Sequence, residues 1–569
     1  MIRIILTALL FVAACNPAHT PPDKRESTNL SSAQETPSRS LEPSNKYTTG
    51  DKYLAIEEVK RSSGNRISFQ VSWDASWRSG GQYDAAWVFV KSKEQGKPWQ
   101  HANIRPSTAK VEVNDCSDGA AAALRVSPDQ VGIMISRKND GQGDNDWTIS
   151  LALEDVPKSP MTQYQVFGLE MIHVPSGAFE LGTLKCERDR NEELTPGAGG
   201  APYNPFFTFQ KGAKDNYGGI FNVTSENPIE IGKENGNLFW LDADIRGANT
   251  FSGTPNGTLS TNFPKGFAGF YQMKYELSQQ AYCDFLNTLT PEQQKSRDIT
   301  QTIEFRRPIA DYRNAILFEE GIFRTNRSHR PCNFLSWLDG QAYADWAGLR
   351  HMTELEFEKA CRGTQEAVYR EYVWGVNEVT ERQNMRFCTT IYQENSLAKE
   401  ESGRVTIDGN VHASMFSYQN FIDVCTLQGN FYDPDCRGCR SFTGGDGGRG
   451  PVRQGIFGVT SDGSRIRAGA TFYGAMEMGG NLQEPVVTVG HPSGRKFEGT
   501  HGDGTLTASG FSDNLDWQPV NNEYGFGGRG GCWKFHENHA RTSDRFKGLR
   551  TNPNRRASHI GFRGVRTGW

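Results

Sequence analysis

The chain has 569 residues and a formal net charge of −4, from 62 Lys+Arg against 66 Asp+Glu. That balance argues against a nucleic-acid partner, which draws on a strongly basic field, and a hydrophobic content of 36% excludes a multi-span membrane protein. Aromatic residues at 11% exclude a mainly disordered chain, 61 Gly point to turn-rich packing, and 11 Cys is an odd number that needs an explanation.

Residues 1–14 (MIRIILTALLFVAA) join Arg3 to an apolar run that ends at Ala14. The run is too short to span a bilayer as a helix and suits a secretory h-region. Val12-Ala13-Ala14-Cys15 resembles a bacterial lipobox, in which Cys15 would be lipidated. An ordinary signal peptide with an incidental Cys15 is the alternative. Residues 15–50 are rich in Pro, Ser and Thr with almost nothing apolar. Such a stretch cannot bury enough surface to offset its ordering entropy and is expected to be a tether. Setting Cys15 aside leaves an even number of cysteines in a compartment where disulfides form, with the connectivity open.

From 51 to about 165 short runs alternate polar and apolar: Ile67-Ser68-Phe69-Gln70-Val71-Ser72-Trp73, Ala86-Trp87-Val88-Phe89-Val90 and Trp147-Thr148-Ile149-Ser150-Leu151. The alternation predicts a small antiparallel β-sandwich domain with one face of each strand buried. Trp73, Trp77 and Trp87 are candidates for a carbohydrate-binding face, with core packing the preferred reading.

From Val166 the texture changes. Met171–Gly182 reads as a strand, a turn and a strand. Ser278 precedes Ala281, Tyr282, Phe285, Leu286 and Leu289, an apolar face at helical spacing. Ser336 with Asp339 has the side chains of a capping box opening a helix through Trp346 that stops at Gly348. Thr353 with Glu356 opens another that carries Phe357, Ala360 and Cys361. Beyond Gly363, Gly, Asn, Asp and aromatics dominate, and no helix longer than about three turns is predicted.

These stretches, in this order, resemble the sulfatase-modifying-factor (formylglycine-generating-enzyme) family. The resemblance runs through Met171–Gly182, Met273–Gln279, Pro331–Cys332–Asn333, Ala342–Arg350, Thr353–Glu358, Gly469–Gly474, Gly480-Asn481-Leu482-Gln483-Glu484, Arg529-Gly530-Gly531 and Gly561–Arg566. It covers about 166–569, with insertions near 183–265 and 390–450. It implies an α+β class: a C-type-lectin-like module low in regular secondary structure, here preceded by the sandwich. The sandwich, with Ser72-Trp73-Asp74 and Asp84–Val88, looks like a domain found before this module in bacterial lipoproteins.

The family's enzymes oxidise a substrate cysteine to formylglycine and bind copper with two cysteines five residues apart, shortly after the Arg-Gly-Gly block. Soft thiolates favour Cu(I). After Cys439 this chain carries a single cysteine, Cys532, so that pair cannot exist whether the first position falls on Cys532 or on Phe535. The related His-x3-His-x-Glu iron site is absent from the eleven histidines. Cys532, His536 and His539 form a loose Cys-x3-His-x2-His set that could offer a thiolate and two imidazoles to a metal such as zinc. The preferred alternative is a bonded or buried Cys532 with solvent-facing histidines. The resemblance also implies structural Ca²⁺ held by Asn481, the Leu482 carbonyl and Glu484, with Asn384 in a second block; hard oxygen donors suit that ion. Gln483 and Pro485 depart from the family pattern. The Cys436-Arg437-Gly438-Cys439 pair has the spacing of redox or zinc chemistry, but no second CxxC accompanies it, and structural disulfides in an insertion are the preferred reading.

The sequence thus predicts a cell-envelope lipoprotein: signal peptide 1–14, tether 15–50, sandwich 51–165 and family module 166–569. Its expected role is a binding or structural component, anchored to the membrane and facing the periplasm or the surface, holding a peptide, a glycan or an envelope protein. A thiol-directed metal-dependent oxidase with a non-standard site around Cys532 is the rival.

Overall fold

The computed structural model describes residues 44–183, 206–240, 253–377 and 450–569, apart from 51, 63–64, 107–109, 114–119, 155, 158, 212–218, 460–463, 518–524, 536, 546 and 551. Cys15, residues 1–14, Asn384, His536, Cys436 and Cys439 lie outside the described residues.

Among the described residues nine strands open the fold: β1 (Ala55–Ser62), β2 (Arg66–Ser79), β3 (Gln82–Lys93), β4 (Gln100–His101), β5 (Lys110–Val113), β6 (Ala122–Val126), β7 (Ile133–Arg137), β8 (Gly141–Ala152) and β9 (Gln163–Val174). β2 pairs antiparallel with β1 and β8, and β8 with β5. β3 pairs antiparallel with β4, β7 and β9. The sheet does not end there: β9 pairs with Phe270–Met273, which pairs with Gly564–Thr567 near the C-terminus. The expected boundary at 165/166 therefore falls inside one strand of a continuous sheet, and residues from Glu42 onward form one compact unit.

β3 explains this joining. Ala86, Val88 and Val90 enter an apolar core with Ile67, Phe69, Val71, Trp147 and Ile149. The alternate residues Ala85, Trp87 and Phe89 enter a second, larger core with Leu286, Tyr343, Trp346 and Leu349. Residues 83–92 are buried throughout. The alternation read at 86–90 as a strand with one buried face is thus corrected: both faces are buried, as the uninterrupted Ala-Ala-Trp-Val-Phe-Val run requires. Trp73, Trp77 and Trp87 are fully buried, which places them in cores rather than on a ligand-binding face. Residues 44–50 also belong to the folded body. Ser44–Tyr47 form a 3-10 turn, and Lys46 and Tyr47 are buried.

The helices follow their caps. α1 (Gln279–Thr288) starts where Ser278 accepts from the Ala281 N–H. α2 (Pro291–Arg297) has a Thr290–Gln293 capping box that the sequence reading did not single out. α3 (Trp337–Trp346) and α4 (Glu354–Arg362) carry the expected Ser336–Asp339 and Thr353–Glu356 boxes. α3 is buried along its whole length, so its sequence shows almost no polar face. Beyond Gly363 the described α-helices, Arg465–Ala468 and Pro492–Arg495, span four residues each. The class is α+β with mainly antiparallel sheets. Among the described residues no helix is long and apolar enough to cross a membrane. None of the described cysteines, Cys283, Cys332, Cys361 and Cys532, is in a disulfide, and all four are buried.

Candidate functional site

The Arg-Gly-Gly block sits at the end of a two-stranded ribbon. Phe526–Arg529 pairs antiparallel with Glu484–Val487, so Arg529 lies opposite Glu484. Gly530 and Gly531 follow at φ +81° and +71°. A Cβ on Gly530 would meet the Met478 carbonyl oxygen at 2.4 Å. Glycine is therefore demanded there by backbone sign and by contact.

The turn delivers Cys532 into an apolar cluster with Ile309, Tyr312, Phe334, Leu482 and Trp533. Cys532 is 1% exposed, and burial pushes its thiol up to about 12. A thiol held protonated at neutral pH is neither a good nucleophile nor a ready metal ligand. His539 is buried, with Nδ1 2.8 Å from Asp544 Oδ2. The expectation of solvent-facing histidines fails for His539, whose ring the Asp544 carboxylate holds. Phe535, the other residue at the family's first cysteine position, packs its ring against His539 and His559. Five residues beyond Cys532 stands Glu537, and five beyond Phe535 stands Ala540. Neither alignment supplies a second thiolate, and this donor set does not fit copper.

Of the residues nominated for calcium, Asn481, Leu482 and Glu484 are close together, and several of their polar atoms already have protein partners. Asn481 Oδ1 accepts from the Val452 N–H at 2.9 Å, and its Nδ2 donates to Glu276 Oε2 at 2.6 Å. The Leu482 N–H donates to Glu276 Oε1 at 2.8 Å. Glu484 Oε1 accepts from Arg563 Nε at 2.6 Å, while Oε2 has no hydrogen-bond partner. The same guanidinium caps the carbonyls of Met273, Lys274 and Met476. An ion bound through Asn481 Oδ1 would displace the Val452 N–H and sit near Arg563, and Glu484 Oε2 is the buried donor oxygen left open. The positive charge beside Glu484 is an arginine.

A second buried network braces the ribbon from α4. Arg545 makes a bidentate pair with Glu354, Nε to Oε2 at 2.7 Å and Nη2 to Oε1 at 2.9 Å. Arg529 Nη2 donates to Glu358 Oε1 at 2.9 Å. Burial opposes ionisation of Glu354, but Arg545, and after it Arg529, outweigh that effect and hold its carboxyl below the usual range. Glu354 also accepts from Thr488 Oγ1 and the Val489 N–H. Sequence reasoning included Glu354 only as a member of the Thr353–Glu358 block. Its partners lie well over a hundred positions away.

Among the described residues one group of three His, Cys, Asp or Glu side chains brings its ligand atoms together, and it contains no nominated residue: Asp345, Asp503 and Asp513. Asp345, at the end of α3, accepts from Ser512 Oγ at 2.6 Å and from the N–H groups of Asp503 and Asp513 at 3.1 Å each. Burial, with the neighbouring carboxylates adding to it, pushes its carboxyl up to about 7. It is a staple for the Gly-rich 501–513 loop.

Comparison with known proteins agrees with this framework. The sulfatase-modifying factor enzyme 1-like domain matches residues 263–568, just over half of the chain. A formylglycine-generating enzyme of Thermomonospora curvata is 47% identical over 58 residues, 10% of this chain and 18% of that protein. One from Streptomyces coelicolor is 47% identical over 51 residues, 9% of this chain and 16% of that protein. These matches span less than a fifth of the length of either relative. The domain match, by contrast, runs through the four capped helices α1 to α4, the ribbon and the C-terminal strand, and the chain belongs to the sulfatase-modifying factor enzyme 1-like (FGE-sulfatase) domain family.

Proposed function

We propose that this family member is a binding or structural protein of the cell envelope, and that its module does not form formylglycine by the copper route. The supporting observation is the state of Cys532. It is the one cysteine after Cys439, and it stands in an apolar cluster with its thiol pushed up to about 12. The family's copper site would require both a partner thiol and a deprotonated sulfur at that position. The elements around it are built for rigidity: two glycines at positive φ, a bidentate Arg545–Glu354 pair and an Arg563–Glu484 pair. The lipobox-like stretch ending at Cys15 would supply the membrane anchor, with residues up to 43 as a spacer.

Incubating the purified chain with a Cys-x-Pro-x-Arg peptide and Cu(I), then weighing the peptide, tests this reading. The expected result is unchanged peptide mass. Conversion of the cysteine to formylglycine would establish the thiol-directed enzyme instead, and stoichiometric copper, iron or zinc that disappears in Cys532→Ser would overturn the binding-only reading.

A further inference from the structure

A cleft of about 670 Å³ opens where the N-terminal strands meet the family module. Its volume lies within the range of small-ligand sites, about 300–1,000 Å³. One wall comes from the segment around β4, with Trp99, Gln100, His101 and Asn103. The other comes from the α1–α2 junction and the 501–506 loop, with Leu289, Gln293, Asp503 and Leu506. The floor is fixed. Lys91 Nζ donates to the carbonyls of Trp346 and Gly504, both at 2.8 Å, and ties β3 to both module segments. His101 Nε2 is 2.7 Å from the Val131 carbonyl oxygen. The walls are thus held at a set separation before any ligand arrives, which lowers the ordering cost of binding.

The chemistry of the lining selects a ligand class. Among the residues that line the cleft an anion finds no free cation: Lys91 is spent on two carbonyls, and burial holds His101 and His501 neutral, well below the usual imidazole range. Asp129 is paired with Arg566, and Lys93 lies over the Trp99 ring at 5.6 Å, which opposes a cation stacking there. Of the lining groups that remain, Asp503 is a carboxylate, which accepts from the Thr505 N–H at 2.8 Å and stands beside Asp345 and Asp513, and the others are neutral. The Trp99 indole and the Gln100 and Asn103 amides have no side-chain hydrogen-bond partner among the described residues, and they adjoin apolar surface from Leu289, Leu506 and Val131. A ligand suited to this lining has apolar C–H faces and many hydroxyls on one small ring.

We infer that this cleft binds a neutral saccharide of one or two rings, stacked on Trp99 and hydrogen-bonded by Gln100 and Asn103. Aromatic rings take up the C–H face of a sugar while planar amides pair with vicinal hydroxyls, each using donor and acceptor together. This inference deepens the binding reading above and rests on it. The site lies on the seam between the two cores, away from Cys532 and the glycine turn.

Calorimetric titration of the full chain with cellobiose, maltose and N,N′-diacetylchitobiose tests it, with glucosamine and glucuronic acid as cationic and anionic probes. The expected result is saturable binding of at least one neutral disaccharide, weakened at least about tenfold in both Trp99→Ala and Asn103→Ala and unchanged in Phe318→Ala, a surface substitution elsewhere. Trp99 is half-buried and Asn103 exposed, so both variants should keep the parent melting temperature, and Trp99→Phe should retain part of the affinity. No neutral saccharide bound at about 10 mM, tighter binding of glucosamine or glucuronic acid, or affinity indifferent to both cleft variants would overturn the inference. Peptide conversion in the copper assay would instead overturn the binding-only reading, whatever the calorimeter shows.

Discussion

The indole N–H of Trp87 donates to the carbonyl of Ala347 at 2.8 Å, joining the middle of β3 to the residue that ends α3. With Lys91 bonded to Trp346 and Gly504, and Arg566 stacked on the Trp87 ring, the N-terminal strands are an integral wall of the family module.

Unfolding should therefore be a single event. Urea transitions followed by far-UV circular dichroism and by tryptophan fluorescence should coincide. Trp87→Phe should lower stability by about 1–3 kcal/mol, because the Ala347 carbonyl loses its buried donor. Two separated transitions would show that the seam between the cores is weaker than this geometry implies.

Arg545 and Glu354 are both fully buried. Arg545→Met should destabilise by about 3–5 kcal/mol by leaving a carboxylate buried without its partner. The pair also sets an acid limit. The Glu354 carboxyl is held low in the folded state, and Asp339 is likewise held low: burial opposes its ionisation, but Arg556 and Arg297 outweigh it. Their contribution is complete above the pKa of the unfolded chain and is lost as pH falls through the lower folded value. Stability should drop below about pH 4. The parent and Arg545→Met should converge there, as chemical denaturation at pH 3 and pH 7 would reveal; a gap equal at both values would count against the pair.

Asp345 carries the opposite sign. Its carboxyl is raised to about 7, so the fold keeps the proton while the unfolded chain releases it near pH 4. The penalty grows as pH rises from about 4 and is complete above about 7. Relative to the parent, Asp345→Asn should gain on the order of 2–4 kcal/mol between those values. Denaturation midpoints of both proteins at pH 4.5 and 7.5 give the comparison; a difference flat with pH would remove Asp345 as the titrating group.

Cys532 should behave as an inert core residue. Iodoacetamide should leave it unlabelled in the native protein and alkylate it readily in urea. Rapid native labelling mapped to Cys532 would place an accessible thiolate where the structure puts a buried thiol.

For the Asn481–Glu484 loop, EGTA should leave the melting temperature unchanged, whereas Arg563→Met should lower it sharply by stranding Glu484 and the carbonyls of Met273, Lys274 and Met476. A chelator-induced fall reversed by Ca²⁺ would show that an ion shares the loop with Arg563.

The local sequence determined the starts of α1, α3 and α4, because a cap is a hydrogen bond between residues three apart: Ser278 to Ala281, Ser336 to Asp339, Thr353 to Glu356. It also determined that no second cysteine follows Cys439 except Cys532, since an absent residue is absent in any fold. The family resemblance was legible for the same reason, in blocks each a few residues long. Tertiary structure alone decided the rest. Period-2 alternation states which residues share a face but not whether a second core covers the other, and β3 proved buried on both. The turn after Gly531 decided that Cys532 is a core thiol. Asp345 meets Asp503 and Asp513, Glu354 meets Arg545, and Trp99 faces the α1–α2 junction across a cleft. These relationships join positions some 150 to 200 residues apart, beyond the reach of local periodicity or spacing, and they fix the ionisation states and the free surface on which the chemistry of this protein depends.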